Sequence, residues 1–215
     1  MATLVPAILT RDPEEVYEKI KFLESVPGIT DIQIDFEDGK FVDNKTILPH
    51  DLQTLETKLQ IEAHLMVQNP ERFFHQLEHL GVKTAVFHFE SFSNFSEIET
   101  AIGNAKSLDL KVGLAINPAT ELAVVEKFAD QVDLCLLMSV HPGLQGQNFL
   151  RASLGRLKTL RNRHRGLIIE IDGGINLDNF ETIVGFGADR IVVGSGIWQT
   201  PDPKKTIHHF LQKLK

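Results

Sequence analysis

Cysteine is almost missing from this chain: its 215 residues include one, Cys135. A single thiol closes no internal disulfide, so the fold must hold without covalent staples, as suits a reducing compartment. Cys135 sits within the apolar run 132–138 and reads as a small buried hydrophobe rather than a nucleophile. Basic charge is also scarce. Lys and Arg total 22 against 29 Asp and Glu, a net charge of -7 at pH 7, which argues against nucleic acid or an anionic membrane as a partner. The one dense basic stretch, residues 161–165, reads as the exposed end of a helix. No apolar run approaches the ~18 residues of a membrane span, and the N-terminus has neither the basic region nor the apolar core of a secretion signal. A cytoplasmic location is therefore expected. Linkers and low-complexity tracts are absent too. With 42% hydrophobic residues, the chain can bury one large core, and a single domain over residues 1–215 is expected.

Against these absences stands a regular beat. Short apolar runs recur at residues 4–9, 29–36, 60–66, 84–89, 111–116, 132–138, 167–171 and 190–193. Segments of helical spacing lie between them, among them 13–23, 70–80, 121–128, 149–163 and 177–186. In the first of these, Val16, Ile20 and Leu23 recur at three- and four-residue steps, giving one buried face. Asn69-Pro70 and Asn176 look like helix starts, and Gly81 and Gly187 like helix ends. Eight strand–helix pairs predict a (β/α)8 TIM barrel. A doubly wound open sheet is the alternative, but Leu9-Thr10-Arg11-Asp12 after the first strand is not the glycine-rich fingerprint such a sheet usually carries.

Catalytic groups of such a barrel sit at the C-terminal ends of its strands. Asp172-Gly173-Gly174 ends the seventh strand and Gly194-Ser195-Gly196 the eighth. Glycines in this register expose backbone N–H groups on one rim, where a phosphate can be held. Gln33, Asp35 and Glu37 lie at two-residue spacing on the second strand and share its inward face, leaving Ile32, Ile34 and Phe36 to the helices. The third strand carries His64 and Met66, the fourth His88 and Glu90, and the sixth Met138. His88 and Glu90 read as a hydrogen-bonded plug of the barrel mouth. Asp35, His64 and Asp172 are different: three ionisable groups converging beside a phosphate cradle point to chemistry. A Schiff-base route would need a lysine inside the barrel. Lys83 and Lys111 stand at strand starts, on the opposite rim.

Several ordered motifs carry a resemblance. Pro6-Ala7-Ile8-Leu9, the stretch from Ile32 to Val42, Ala63-His64-Leu65-Met66-Val67, Asn117-Pro118-Ala119-Thr120, Leu136-Leu137-Met138-Ser139-Val140 and Asp172-Gly173-Gly174-Ile175-Asn176 together resemble the ribulose-phosphate 3-epimerase family, over nearly the whole chain. The resemblance implies a barrel of the ribulose-phosphate-binding type that inverts C3 of a ketopentose phosphate. It makes Asp35 and Asp172 the acid/base pair and also, with His64, ligands of a divalent metal. Phosphate would lie against Gly143, Leu144, Gln145, Gly146, Gly173, Gly174, Gly194 and Ser195, and His64, Met66 and Met138 would line the sugar pocket. Ordinary barrel packing is the competing reading of the two methionines. A dimer or hexamer is implied as well.

The chain departs from the family pattern near this chemistry. Gln33 stands where the family has a metal-ligand His, Ala7 replaces a Ser, Glu37 a Met, and residues 141–147 lose one glycine. The metal-site histidine is thus expected to be replaced by Gln33. Three accounts remain open. A metal could persist on Asp35, His64 and Asp172 with help from Gln33 or Glu37, favouring Mn2+, Mg2+ or Fe2+ over Zn2+. A metal-free acid/base cluster could run another sugar-phosphate isomerase or lyase step. An inactive barrel could serve as a phosphosugar-binding protein.

Overall fold

A computed structural model of the chain describes residues 2–143 and 146–214. Eight parallel strands close in sequence order into a barrel: β1 (Thr3–Ile8), β2 (Asp31–Glu37), β3 (Gln60–Met66), β4 (Thr84–His88), β5 (Lys111–Ile116), β6 (Leu134–Met138), β7 (Ile168–Asp172) and β8 (Arg190–Val193). Around them run α1 (Pro13–Glu24), α2 (Phe74–Leu80), α3 (Phe95–Ser107), α4 (Ala123–Phe128), α5 (Ala152–Arg163), α6 (Phe180–Gly185), α7 (Ser195–Trp198) and α8 (Pro203–Gln212). This is the (β/α)8 barrel that the alternating pattern predicts.

The expected one-to-one pairing of strands and helices fails twice. Between β2 and β3 the described chain makes only a 3-10 turn, Pro49–Asp51, and β8 is followed by two helices. Asp12 caps α1 by accepting a hydrogen bond from the Glu14 N–H, with Pro13 in the first turn. Val16, Ile20 and Leu23 are the buried residues of that helix. The basic stretch at the end of α5 is not simply exposed. Arg161 is paired with Asp189 and donates to the carbonyls of Gly187, His164, Arg165 and Leu167, so it ties the end of α5 to the start of β7.

Strand alternation divides the core in two. Ile8, Ile32, Ile34, Phe36, Leu65 and Phe87 belong to the large shell between barrel and helices. A smaller set fills the barrel itself, with Val86, Ala115, Leu134, Leu136 and Met138 on one side and Val5, Ala7 and Val192 on the other. Cys135 is fully buried in the outer shell. Burial lifts its thiol far above the ordinary range, so it has the character of a hydrophobe. Phe89 and Phe92 are partly buried against the same shell, Phe92 packing edge-on to Phe87. Phe95, at the start of α3, is more open, at 43% exposure. No described helix is long and apolar enough to cross a membrane.

The floor of the barrel is charged. Arg190 reaches Asp31 at 2.7 Å, Glu62 at 3.2 Å and Glu170 at 2.5 Å. One guanidinium cannot neutralise three carboxylates. Burial first, and the neighbouring Glu170 second, push the Glu62 carboxyl well above its ordinary range. A raised acid pKa means the folded state binds a proton that the unfolded chain releases. The stability it carries is complete below the ordinary glutamate range and is lost as pH climbs toward the folded-state value. Glu62→Gln should therefore flatten the decline in urea-unfolding midpoint as pH rises above the ordinary glutamate range. An unchanged slope would place the retained proton elsewhere.

Candidate active site

Strand register assembles the site. In the β2–β3 ladder Asp35 lies beside His64 and Glu37 beside Met66, while Met138 of β6 lies beside Asp172 of β7. Asp35, Glu37, Met66, Met138 and Asp172 all line one cavity at the C-terminal mouth of the barrel. Gly143, Gly146, Gly173, Gly174, Gly194 and Ser195 complete its wall. Leu144 and Gln145, also expected there, lie outside the described residues. His64 is fully buried below the cavity. Residues that sequence reasoning did not single out, Val140, Ile175 and Val192, line it as well.

The glycine rim is close-packed. Gly174 has φ +66°, and a Cβ there would stand 2.4 Å from the Phe149 nitrogen. A Cβ on Gly196 would come within 2.3 Å of the Ile175 carbonyl oxygen. Neither contact can be relieved by a side-chain rotation, since both partners are backbone. Ser139 fixes the turn beneath by donating to the carbonyls of Asp172 and Gly173, at 2.8 and 2.7 Å.

At the centre, ligand atoms of Asp35, His64 and Asp172 lie within 4.8 Å of one another. His64 Nδ1 is 3.1 Å from Asp35 Oδ1 and 3.7 Å from Asp172 Oδ2. The Gln33 amide donates to both acids, at 2.7 Å to Asp35 Oδ1 and 3.0 Å to Asp172 Oδ2. Its own oxygen is buried without a hydrogen-bond partner among the described residues. The expectation that glutamine has replaced the centre's histidine is therefore corrected. The cluster holds its histidine, His64 on β3, and Gln33 stands beside it bridging the two acids. The position of one β2 residue within a motif could not show that β3 supplies the imidazole.

The electrostatics match a site short of positive charge. Burial and then the charge of Asp35 push Asp172 up to about 7. The same two causes raise Glu37 to about 7, against the lowering effect of a hydrogen bond from Asn44. Burial works to lower His64, but the hydrogen bond and charge of Asp35 outweigh it and the ring is raised. A divalent cation among these donors would relieve the repulsion that lifts Asp172, and the mix of two carboxylates with one imidazole suits such an ion.

A second layer lies behind His64. Its Nε2 is 2.9 Å from His88 Nε2, and His88 Nδ1 is 3.2 Å from Glu90 Oε2. Burial pushes His88 down to about 4, leaving it neutral. Burial alone would raise Glu90, but bonds from His88, Thr120 and the Asn117 N–H hold it below its ordinary value. Of the two residues read as a polar plug, His88 thus contacts the centre through His64, and Glu90 reaches it only through His88. The signal was their continuation of the His64 side of the barrel on the next strand.

Paired carboxylates on one cavity can move protons on a bound molecule, and sequence likeness makes the chain a carbohydrate isomerase. Its family follows from sequence. Residues 3–198 match the model of the ribulose-phosphate 3 epimerase family. The chain is 34% identical to a ribulose-phosphate 3-epimerase of Buchnera aphidicola, covering 100% of this chain and 94% of that relative. It is 36% identical to the Aquifex aeolicus protein of the same name, over 94% and 92% of the two chains. The chain belongs to the ribulose-phosphate 3-epimerase family. Among solved structures, 3-hexulose-6-phosphate synthase from Salmonella typhimurium superposes with a TM-score of 0.70 at 17% identity, covering 99% of this chain and 98% of that one. KGPDC from Streptococcus mutans does so with a TM-score of 0.71 at 11% identity, covering 100% and 97%. These two likenesses concern the fold alone.

Proposed function

We propose that this chain interconverts the C3 epimers of a ketopentose phosphate, of the ribulose 5-phosphate to xylulose 5-phosphate type. The observation that carries the reading is that Asp35 and Asp172 line one cavity that opens onto the glycine rim. A phosphate on the backbone N–H groups of Gly173, Gly174, Gly194 and Ser195 would anchor the sugar. Asp35 takes the C3 proton from one face, and Asp172, part-protonated near neutral pH, returns a proton to the other. In the reverse direction the roles exchange. Met66 and Met138 give the sugar an apolar, polarisable wall.

Asp35, His64 and Asp172 would hold a divalent metal (Mn2+, Fe2+, Mg2+ or Zn2+). Such an ion supplies positive charge for the oxygens of the substrate as the proton leaves. Because the Gln33 amide already gives both carboxylates a donor, a metal-free acid/base site is the second reading. Metal analysis of the purified protein separates the two. The assay that tests the function offers ribulose 5-phosphate with added Mn2+, Fe2+ or Zn2+ and follows xylulose 5-phosphate. Failure to form it with any ion, or without one, refutes the proposal. Gly174→Ala should raise KM for the phosphorylated sugar by about tenfold or more, since it displaces the rim that holds the phosphate. An unchanged KM would put the phosphate elsewhere.

A further inference from the structure

The chain of contacts behind His64 has a consequence for which ring nitrogen carries a proton. Glu90 Oε1 accepts from the Asn117 backbone N–H at 2.8 Å and from the Thr120 hydroxyl. A backbone N–H cannot reverse its role, so this oxygen must be an acceptor. Despite burial, bonds from His88, Thr120 and the Asn117 N–H hold Glu90 below its ordinary value, so it is ionised. Its Oε2 therefore faces His88 Nδ1 as an acceptor too, at 3.2 Å, and His88 must carry its proton on Nδ1. That leaves a lone pair on His88 Nε2. Between two ring nitrogens 2.9 Å apart only one proton fits, so it belongs to His64 Nε2. The nitrogen turned to Asp35 and Asp172, His64 Nδ1, is then the one that can give a lone pair to an ion, which displaces the proton it offers Asp35.

We propose that Glu90, acting through His88, is a positioning residue that sets the tautomer of His64 for metal binding. The proposal rests on the reading of Asp35, His64 and Asp172 as an ion site. It also assigns a role to the segment Asn117-Pro118-Ala119-Thr120 after β5, which the reaction itself leaves unused. That segment supplies a donor that cannot be flipped and helps keep Glu90 ionised, and together these fix the direction of the hydrogen bonds from Glu90 to the centre. Phe41, with its ring 4.8 Å from that of His88, helps to keep the ring in place.

The argument predicts opposite results from two mild substitutions. In Glu90→Gln the amide oxygen must face the Asn117 N–H, so the amide NH2 faces His88 Nδ1. His88 must then carry its proton on Nε2 and donate to His64 Nε2, and the His64 proton is confined to Nδ1, toward the acids. In His88→Gln, by contrast, the new amide can accept from His64 Nε2 and donate to Glu90, so the direction survives.

The test uses 15N-histidine NMR of the metal-free protein, with calorimetric titration of Mn2+ and Zn2+, on wild type and both variants at one pH. Thermal unfolding checks that each is folded. Wild type should show His88 protonated at Nδ1 and His64 at Nε2. Glu90→Gln should move the His88 proton to Nε2 and weaken ion binding by about 10- to 100-fold. His88→Gln should keep His64 protonated at Nε2 and bind within a few-fold of wild type. A folded Glu90→Gln protein with unchanged ring tautomers overturns the proposal, as does an equal loss of affinity in both variants. If wild type binds neither ion, the ion-site reading fails and the proposed role in metal binding with it, whereas the tautomer shift in the NMR spectrum still reports on the relay alone.

Discussion

Asp35→Asn and Asp172→Asn should each slow interconversion of the C3 epimers by about a thousandfold or more, at the upper end of what a positioned acid or base contributes. Asparagine keeps the shape and can still accept the Gln33 amide hydrogen, so the barrel should fold. It cannot carry the proton. Each substitution also removes one candidate ligand of the metal centre. Asp172→Asn has a second signature. Burial and Asp35 raise the native carboxyl, so its ionisation costs stability above the ordinary aspartate range. The variant should therefore be at least as stable as wild type near neutral pH, although inactive. A coupled enzyme assay and a urea titration check both statements. Retention of more than a tenth of the wild-type rate in either variant would remove that residue from the proton pathway.

Arg190→Met should destabilise the protein by about 3–5 kcal/mol. The change leaves the stem of the side chain but strips the counter-charge from Glu62 and Glu170, which are 2% and 0% exposed. Each of these acids already has one carboxylate oxygen with no hydrogen-bond partner among the described residues, so little remains to compensate. The loss should show in the urea midpoint and should shrink when Glu62→Gln is added, because only one buried carboxyl, Glu170, is then left without its guanidinium partner. Additive losses would mean the two side chains act independently. The floor lies at the rim opposite the site, so activity per folded molecule should change little.

Much of the barrel was legible because its signals are local. Eight apolar runs bounded by polar segments mark the strands, and the two-residue spacing of Gln33, Asp35 and Glu37 gives their common face. Helix ends were less legible. The segment after β2 was expected to hold a helix, yet it runs through Asp38, Asn44 and Pro49 as turns. Asp38 there accepts hydrogen bonds from Lys40, Phe41 and Gln68 backbone N–H groups, which favours loop over helix.

The site divides in the same way. Motif resemblance singled out Asp35, His64 and Asp172, but it could not supply the cross-strand register that places them together. It weighed Gln33 as a lost histidine, whereas in three dimensions the amide is a donor shared by two acids. His88 and Glu90 look like plugging residues in one dimension. Only the 2.9 Å approach of the two imidazoles shows that His88 touches the centre, with Glu90 behind it. Contacts between strands depend on barrel closure, and no local spacing encodes that.

The most direct test of the account is the fate of the hydrogen on C3. Ribulose 5-phosphate taken to equilibrium by the enzyme in deuterated water should yield xylulose 5-phosphate with solvent deuterium at C3, read by NMR and mass spectrometry. Product that keeps its original hydrogen at that carbon, or carries the label only at C1, would contradict proton transfer by Asp35 and Asp172.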